Sequence, residues 1–158
     1  MIYKFRTPTP EDVKYIAEHI KQDNLMELKA LLGGHVFEEL VASMKNSDYC
    51  GCCVVDGKPI AMYGVTRQKI FSSTRTVWLL MTDDADRHKV FVARNTLKGL
   101  RAIVRDFGPC SNVCNAGNET ILKWVEWMGG KKYGPFPCGI YGLPHYYFVF
   151  DESILKEG

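Results

Sequence analysis

The sequence is short of most features that would assign it at sight. Its 158 residues contain no apolar run near the roughly 20 needed to cross a bilayer as a helix, so no membrane partner is expected. Residues 1–6 read as a strand, without the charged segment and apolar stretch of an export signal, and a cytoplasmic location is expected. Charge of one sign is also missing. Twenty Lys and Arg stand against 18 Asp and Glu, a net charge of +2. That balance speaks against nucleic acid as a partner, because such binders carry a clear basic excess on one face. The densest basic spots, Arg87-His88-Lys89 and Lys131-Lys132, are short and read as solvated helix ends.

Six cysteines form no pair of Cys-x2-Cys elements, and the four His do not join them at zinc-ligand spacing, so no metal is expected. Cys50, Cys52 and Cys53 lie in one apolar stretch, and Cys110 and Cys114 bracket another; they read as small buried hydrophobes, kept as thiols in a reducing compartment. There is no Walker-type phosphate loop, no dinucleotide fingerprint and no nucleophile elbow.

What is present is a regular succession of elements, fitting one domain over residues 1–158. Residues 2–6 open as a strand. Thr9-Pro10-Glu11-Asp12 starts a helix, with Thr9 as cap, Pro10 in the first turn and acids at the positive end of the helix dipole. Val13, Ile16, Ala17 and Ile20 then share one face. A second helix is predicted over 23–32, stopped by Gly33-Gly34, and a third over 36–44. Strands follow at 49–55 and 58–67, joined by Asp56-Gly57, a strong hairpin signal. The strand 75–81 is apolar enough to be buried on both faces. A polar stretch, 82–89, leads to a long helix over 88–107 that Gly108-Pro109 ends. A strand at 110–115 follows, then a helix opened by Asn118 and stopped by Gly129-Gly130. Final strands are predicted at 131–136 and 145–151, separated by a Pro- and Gly-rich loop. This order predicts an α/β fold: a mixed, mostly antiparallel sheet of six to seven strands with helices on both faces.

That order resembles the GNAT superfamily of acyl-CoA-dependent N-acetyltransferases over nearly the whole chain. The opening Tyr3-Lys4-Phe5-Arg6 with Thr9-Pro10-Glu11-Asp12 is similar to the family's first strand and helix. Asn118, Val125 and Gly129-Gly130 stand where the family has an Asn, a Tyr and a Gly in its last helix. In size, layout and loss of the usual motifs the chain looks most like the GNAT-like internal virion proteins of short-tailed bacteriophages.

The resemblance implies a fold in which two parallel strands splay apart and pantetheine pairs with the edge of the fourth strand, here Leu79, Leu80, Met81 and Thr82. It implies a pyrophosphate seated at the start of the long helix, near Arg87, His88 and Lys89, and a cofactor contact from Asn118. The family's glycine-containing loop is replaced here by Asp83-Asp84-Ala85-Asp86-Arg87-His88-Lys89. Like charges 4 Å apart repel by roughly 4 kcal/mol at an effective dielectric near 20, so three aspartates oppose a polyanionic ligand. The other reading is that they cap the long helix. Asn118 likewise fits either capping or cofactor contact. Val125 takes the position of the family's general acid and cannot donate a proton; Trp124 and Trp127 have N–H groups of no useful acidity. Tyr133, Tyr141, Tyr146 and Tyr147 do not match that position, and His35 and His145 are lone histidines that read as structural.

Three functions follow. The first is an acetyl-CoA-dependent N-acetyltransferase acting on an amine or protein acceptor. The second is a noncatalytic phage virion or virion-associated protein, using the fold for contacts with other virion proteins in the host cytoplasm or the particle. The third is an effector that docks on a protein through 133–147.

Overall fold

A computed structural model of the chain describes residues 1–22, 26, 36–67 and 74–156. Strand β1 (Tyr3–Arg6) leads to α1 (Pro10–Glu18), then α2 (Val36–Lys45), β2 (Ser47–Val55), β3 (Lys58–Thr66) and β4 (Arg75–Met81). A 3-10 helix (Asp83–His88) runs into α3 (Lys89–Phe107), followed by β5 (Cys110–Asn115), α4 (Glu119–Trp127), β6 (Lys131–Cys138), β7 (Leu143–Phe150) and a short 3-10 turn (Glu152–Leu155). The helix predicted over 23–32, apart from residue 26, lies outside the described residues, as do Gly33-Gly34 and His35.

The strands form one sheet in the order β1-β2-β3-β4-β5-β7-β6. Its pairs are antiparallel apart from β4 with β5. The mixed, mostly antiparallel sheet expected from the sequence is therefore present, with seven strands. Local chemistry accounts for its opening half. Thr9 and Asp12 form a capping box on α1, and Arg6 grips the Asp12 carboxylate at 2.8 and 3.0 Å, so the first strand and first helix are tied together. At the β2–β3 turn both Asp56 (φ 49°) and Gly57 (φ 82°) take left-handed backbone, as a two-residue hairpin requires.

Alternation divides the core between two faces. Cys52, Val54 and Met62 point toward Val13 and Ile16 of α1 and Leu40 of α2. Tyr63, Val65, Cys110 and Phe148 point the other way, toward Leu100, Ile103 and Val104 of α3 and Val125 of α4. Helices cover both faces, which is why the central strands read as unbroken apolar runs.

The last two strands are longer than predicted. Pro135 and Pro137 suggested a loop, yet they sit within β6, the edge strand, where a missing N–H costs no ladder bond. The connecting turn takes its left-handed residues from Gly139 (φ 78°) and Gly142 (φ 63°). No helix among the described residues is long and apolar enough to cross a membrane.

All six cysteines are free thiols, and Cys52, Cys53, Cys110 and Cys114 are buried. Burial raises Cys52 and Cys110 to about 12 and Cys53 to about 11, from an ordinary 9.0. The unfolded chain therefore sheds protons between pH 9 and about 12 that the native state keeps. Stability should be full below pH 9 and fall as pH rises through that window, seen as earlier urea midpoints. In native protein a thiol reagent should reach Cys50 and Cys138, both half-buried, well before the other four.

Candidate functional site

β4 and β5 run parallel but pair only at their N-terminal ends, Arg75 with Cys110 and Thr76 with Ser111. Beyond that they part: β4 continues against β3 to Met81, and β5 continues against β7 to Asn115. The closed end is fastened by Thr74 Oγ1 against Ser111 Oγ at 2.7 Å, and by Arg75, which pairs with Asp48.

The parting exposes one edge of β4. Thr82 donates its N–H to Ile60 O at 2.9 Å, so the even-numbered residues of β4 direct their peptide groups to β3. Val77, Leu79 and Met81 direct theirs to the gap. The two outer carbonyls on this edge are occupied. Asn112 Nδ2 donates to Val77 O at 2.7 Å, bridging the strands where the ladder stops. Lys21 N–H donates to Met81 O at 2.8 Å, and Ile20 forms an isolated bridge with Thr82. Between them the N–H and C=O of Leu79 face the cleft with no partner among the described residues.

The gap holds a cavity of about 180 Å³. Val77, Leu79 and Leu80 line one wall and Asn112, Val113 and Cys114 the other, with Leu100 of α3 and Trp124 of α4 behind. None of these lining side chains is charged. Thr96 of α3 also lines it, 7% exposed, and its hydroxyl has no hydrogen-bond partner among the described residues. Such a group costs roughly 1–3 kcal/mol when nothing meets it. Tyr63 reaches the cavity from β3, but its hydroxyl is pressed against Gly99, where an added Cβ would stand 2.2 Å away. Burial, with Tyr49 beside it, holds this phenol far above the usual tyrosine range, so it keeps its proton.

The sequence-predicted residues are distributed unevenly around this cleft. Leu79 and Leu80 line it, but the peptide groups of Leu80 and Thr82 belong to the β3 side. Met81 faces the gap with its carbonyl already taken by Lys21. Arg87 is exposed and lies 3.8 Å from Asp84. His88 turns to the far edge of the sheet, its Nδ1 3.2 Å from the Tyr3 hydroxyl. Lys89 is exposed at the first position of α3. These three side chains do not converge on the cleft. Asn118 caps α4, accepting from the Ile121 N–H at 3.3 Å.

The expectation that the aspartates cap the long helix is corrected. The stretch folds as a 3-10 helix whose cap position is Thr82, and α3 starts from His88; neither side chain makes a cap bond. Asp86 instead pairs with Lys21 at 2.8 Å, fixing the segment after α1 over the end of β4. Asn112, Lys21 and Thr96 were missed from the sequence, since contacts 35 and 65 residues apart leave no local signal. Among the described residues no group of three or more His, Cys, Asp or Glu could hold a metal ion.

Two substitutions test this geometry. Thr96→Val keeps the shape and deletes the unpartnered hydroxyl, so thermal melting should show unchanged or greater stability, by up to about 1 kcal/mol. Val125, 2% exposed, packs so closely that a Cβ on Gly130 would lie 2.6 Å from it. Val125→Tyr should therefore destabilise by about 1–3 kcal/mol in a urea melt.

No protein-family model matches the sequence, and no curated protein matches it. Solved structures do match. A spermidine N-acetyltransferase from Vibrio cholerae, in complex with CoA and spermine, superposes with a TM-score of 0.73 at 12% identity, over 98% of each chain. An N-acetyltransferase from Staphylococcus aureus gives 0.70 at 15% identity, over 96% of this chain and 99% of its own. A GNAT-family acetyltransferase from Bacillus anthracis gives 0.69 at 11% identity, over 96% and 95%. With its splayed parallel pair in a seven-stranded sheet, the chain has the GNAT fold of acyl-CoA N-acyltransferases.

Proposed function

We propose that the splay between β4 and β5 binds the acyl-pantetheine arm of an acyl-CoA, and that the protein transfers the acyl group to an amine. The observation that carries this reading is the unpaired Leu79 peptide, a donor and an acceptor facing an uncharged cavity. The C=O of one secondary amide and the N–H of the next satisfy both groups, as another strand would, and pantetheine carries two secondary amides in succession. The Thr96 hydroxyl offers a further polar contact. Similar structures include complexes with CoA, such as the spermidine N-acetyltransferase and an aminoglycoside acetyltransferase.

The two ends of the cofactor fit differently. The apolar cleft suits the arm. The pyrophosphate end has no glycine-containing loop, and in the 3-10 helix internal bonding begins at Ala85, whose N–H is spent on Thr82 O at 3.1 Å. Asp83, Asp84 and Asp86 add negative charge there, offset in part by Arg87 and Lys21. Arg87, His88 and Lys89 would contribute long-range attraction more than direct contacts, and Asn118 would act by fixing the start of α4.

When bound, an acyl-CoA supplies a thioester carbonyl that a neutral amine can attack directly. The residues of the cleft hold and desolvate; none is placed as a general acid, because Val125 lacks a proton and the Tyr63 hydroxyl is packed against α3. Activity should therefore depend on the pKa of the acceptor amine and show no ionisation of an enzyme acid between pH 6 and 9.

Thermal denaturation with acetyl-CoA and with S-acetyl-pantetheine tests the reading. A ligand at about 100 times its dissociation constant stabilises by about 2.7 kcal/mol, a readily measured rise in melting temperature. Both ligands should stabilise, with comparable dissociation constants, because recognition rests on the arm. Thr96→Val should weaken both. No shift from either at millimolar concentration would remove the reading and leave the noncatalytic role in protein contacts, with virion proteins as partners, as the better account.

A further inference from the structure

We infer that the outer face of α3, together with Trp127, is a binding surface for single-stranded nucleic acid. The near-zero net charge that spoke against such a partner is a whole-chain sum, and the fold distributes it unevenly. α3 carries five basic residues, Lys89, Arg94, Lys98, Arg101 and Arg105, against one acid, Asp106. Four of them, at 94, 98, 101 and 105, recur at helical spacing and are all exposed, whereas Val92, Thr96, Leu100 and Ile103 fill the inner face. At 1.5 Å per residue the stripe is about 16 Å long.

These cations border a shallow groove of about 430 Å³, whose other wall is Trp127 of α4, 57% exposed. The groove is separate from the cleft, which lies beneath the inner face of the same helix. Arg101 is held in place by donating Nε–H to Ile154 O at 3.1 Å and is exposed. Arg105 is engaged by Asp106 through two hydrogen bonds, at 3.1 and 3.4 Å. Arg94 and Lys98 have no carboxylate partner among the described residues.

Cations in a row invite a polyanion of matching pitch. A carboxylate-rich polypeptide would meet the charges, but it makes no use of an open indole beside them. Each nucleobase presents a face that stacks on such a ring while its phosphates follow the cations, the combination found in single-strand binders. The pairing of stripe and indole favours the nucleic acid.

The test is fluorescence anisotropy of a labelled oligothymidylate of about 12 nucleotides on the full chain, with tryptophan emission followed in parallel. Binding should be saturable at low salt and weaken roughly 20- to 50-fold between about 50 and 200 mM salt, for three to four phosphates neutralised. Arg94→Glu with Lys98→Glu should reduce affinity at least about tenfold. Trp127→Ala should reduce it about fivefold or more and abolish most of the emission quenching. Both variants alter exposed side chains and should melt with the wild type. Absence of binding at low salt, or full affinity in the charge-reversed variant, would overturn the inference. So would equal affinity for polyglutamate with Trp127→Ala silent, which would assign the stripe to an acidic protein segment. Neither result bears on the cleft, whose ligands are scored separately.

Discussion

A parallel strand pair that stops after two residues leaves peptide groups unsatisfied in the middle of a sheet, and the rest of the molecule is arranged around that cost. Three solutions act in sequence along β4. Asn112 lends a side-chain amide to Val77 O, extending the ladder by one bond after the backbones have parted. Lys21 lends a backbone N–H to Met81 O, closing the far end. Leu79, between them, is left to the cleft. Leu100 of α3 and Trp124 of α4 line the gap where the strands have parted. A cleft made this way is selective by construction: it presents the N–H and C=O of one residue, mostly apolar walls and no charged side chain.

Much of the architecture was legible because the elements obey local rules. The Thr9 cap, the Asp56-Gly57 turn and the glycine stops each carry their own chemistry, and the apolar periods on α1 and α3 show which faces go inward. The resemblance to the GNAT layout rests on that order together with the residues at 3–12 and 118–130. The site was less legible. Strand alternation is visible in a sequence, but which edge a given peptide group faces depends on the register with β3, and that is set by tertiary pairing. Hence Leu79, Leu80, Met81 and Thr82 were indistinguishable as a string and differ sharply in the fold. The aspartates of the 3-10 helix show the same limit. Their type fitted capping, but Lys21 arrives from 65 residues away and recruits Asp86 to an ion pair instead. The prolines of β6 misled in the opposite direction, because an edge strand tolerates what a central one cannot.

Helix α3 separates two chemistries by rotation alone. Thr96 and Leu100 reach the cleft, and two residues on in each case Lys98 and the Ala102 flank of the stripe face outward. A ligand on either side therefore contacts α3 without touching the other's side chains. Any coupling between the sides has to pass through displacement of the helix as a body. That displacement is opposed by the close approach of Gly99 to Tyr63, where a single added carbon would clash at 2.2 Å. Because the contact joins α3 to β3, next to β4, a shift of the helix large enough to be felt at the outer groove would also move the floor of the cleft. The packing that excludes a bulkier residue at position 99 thus keeps the cleft's dimensions independent of what the outer face carries.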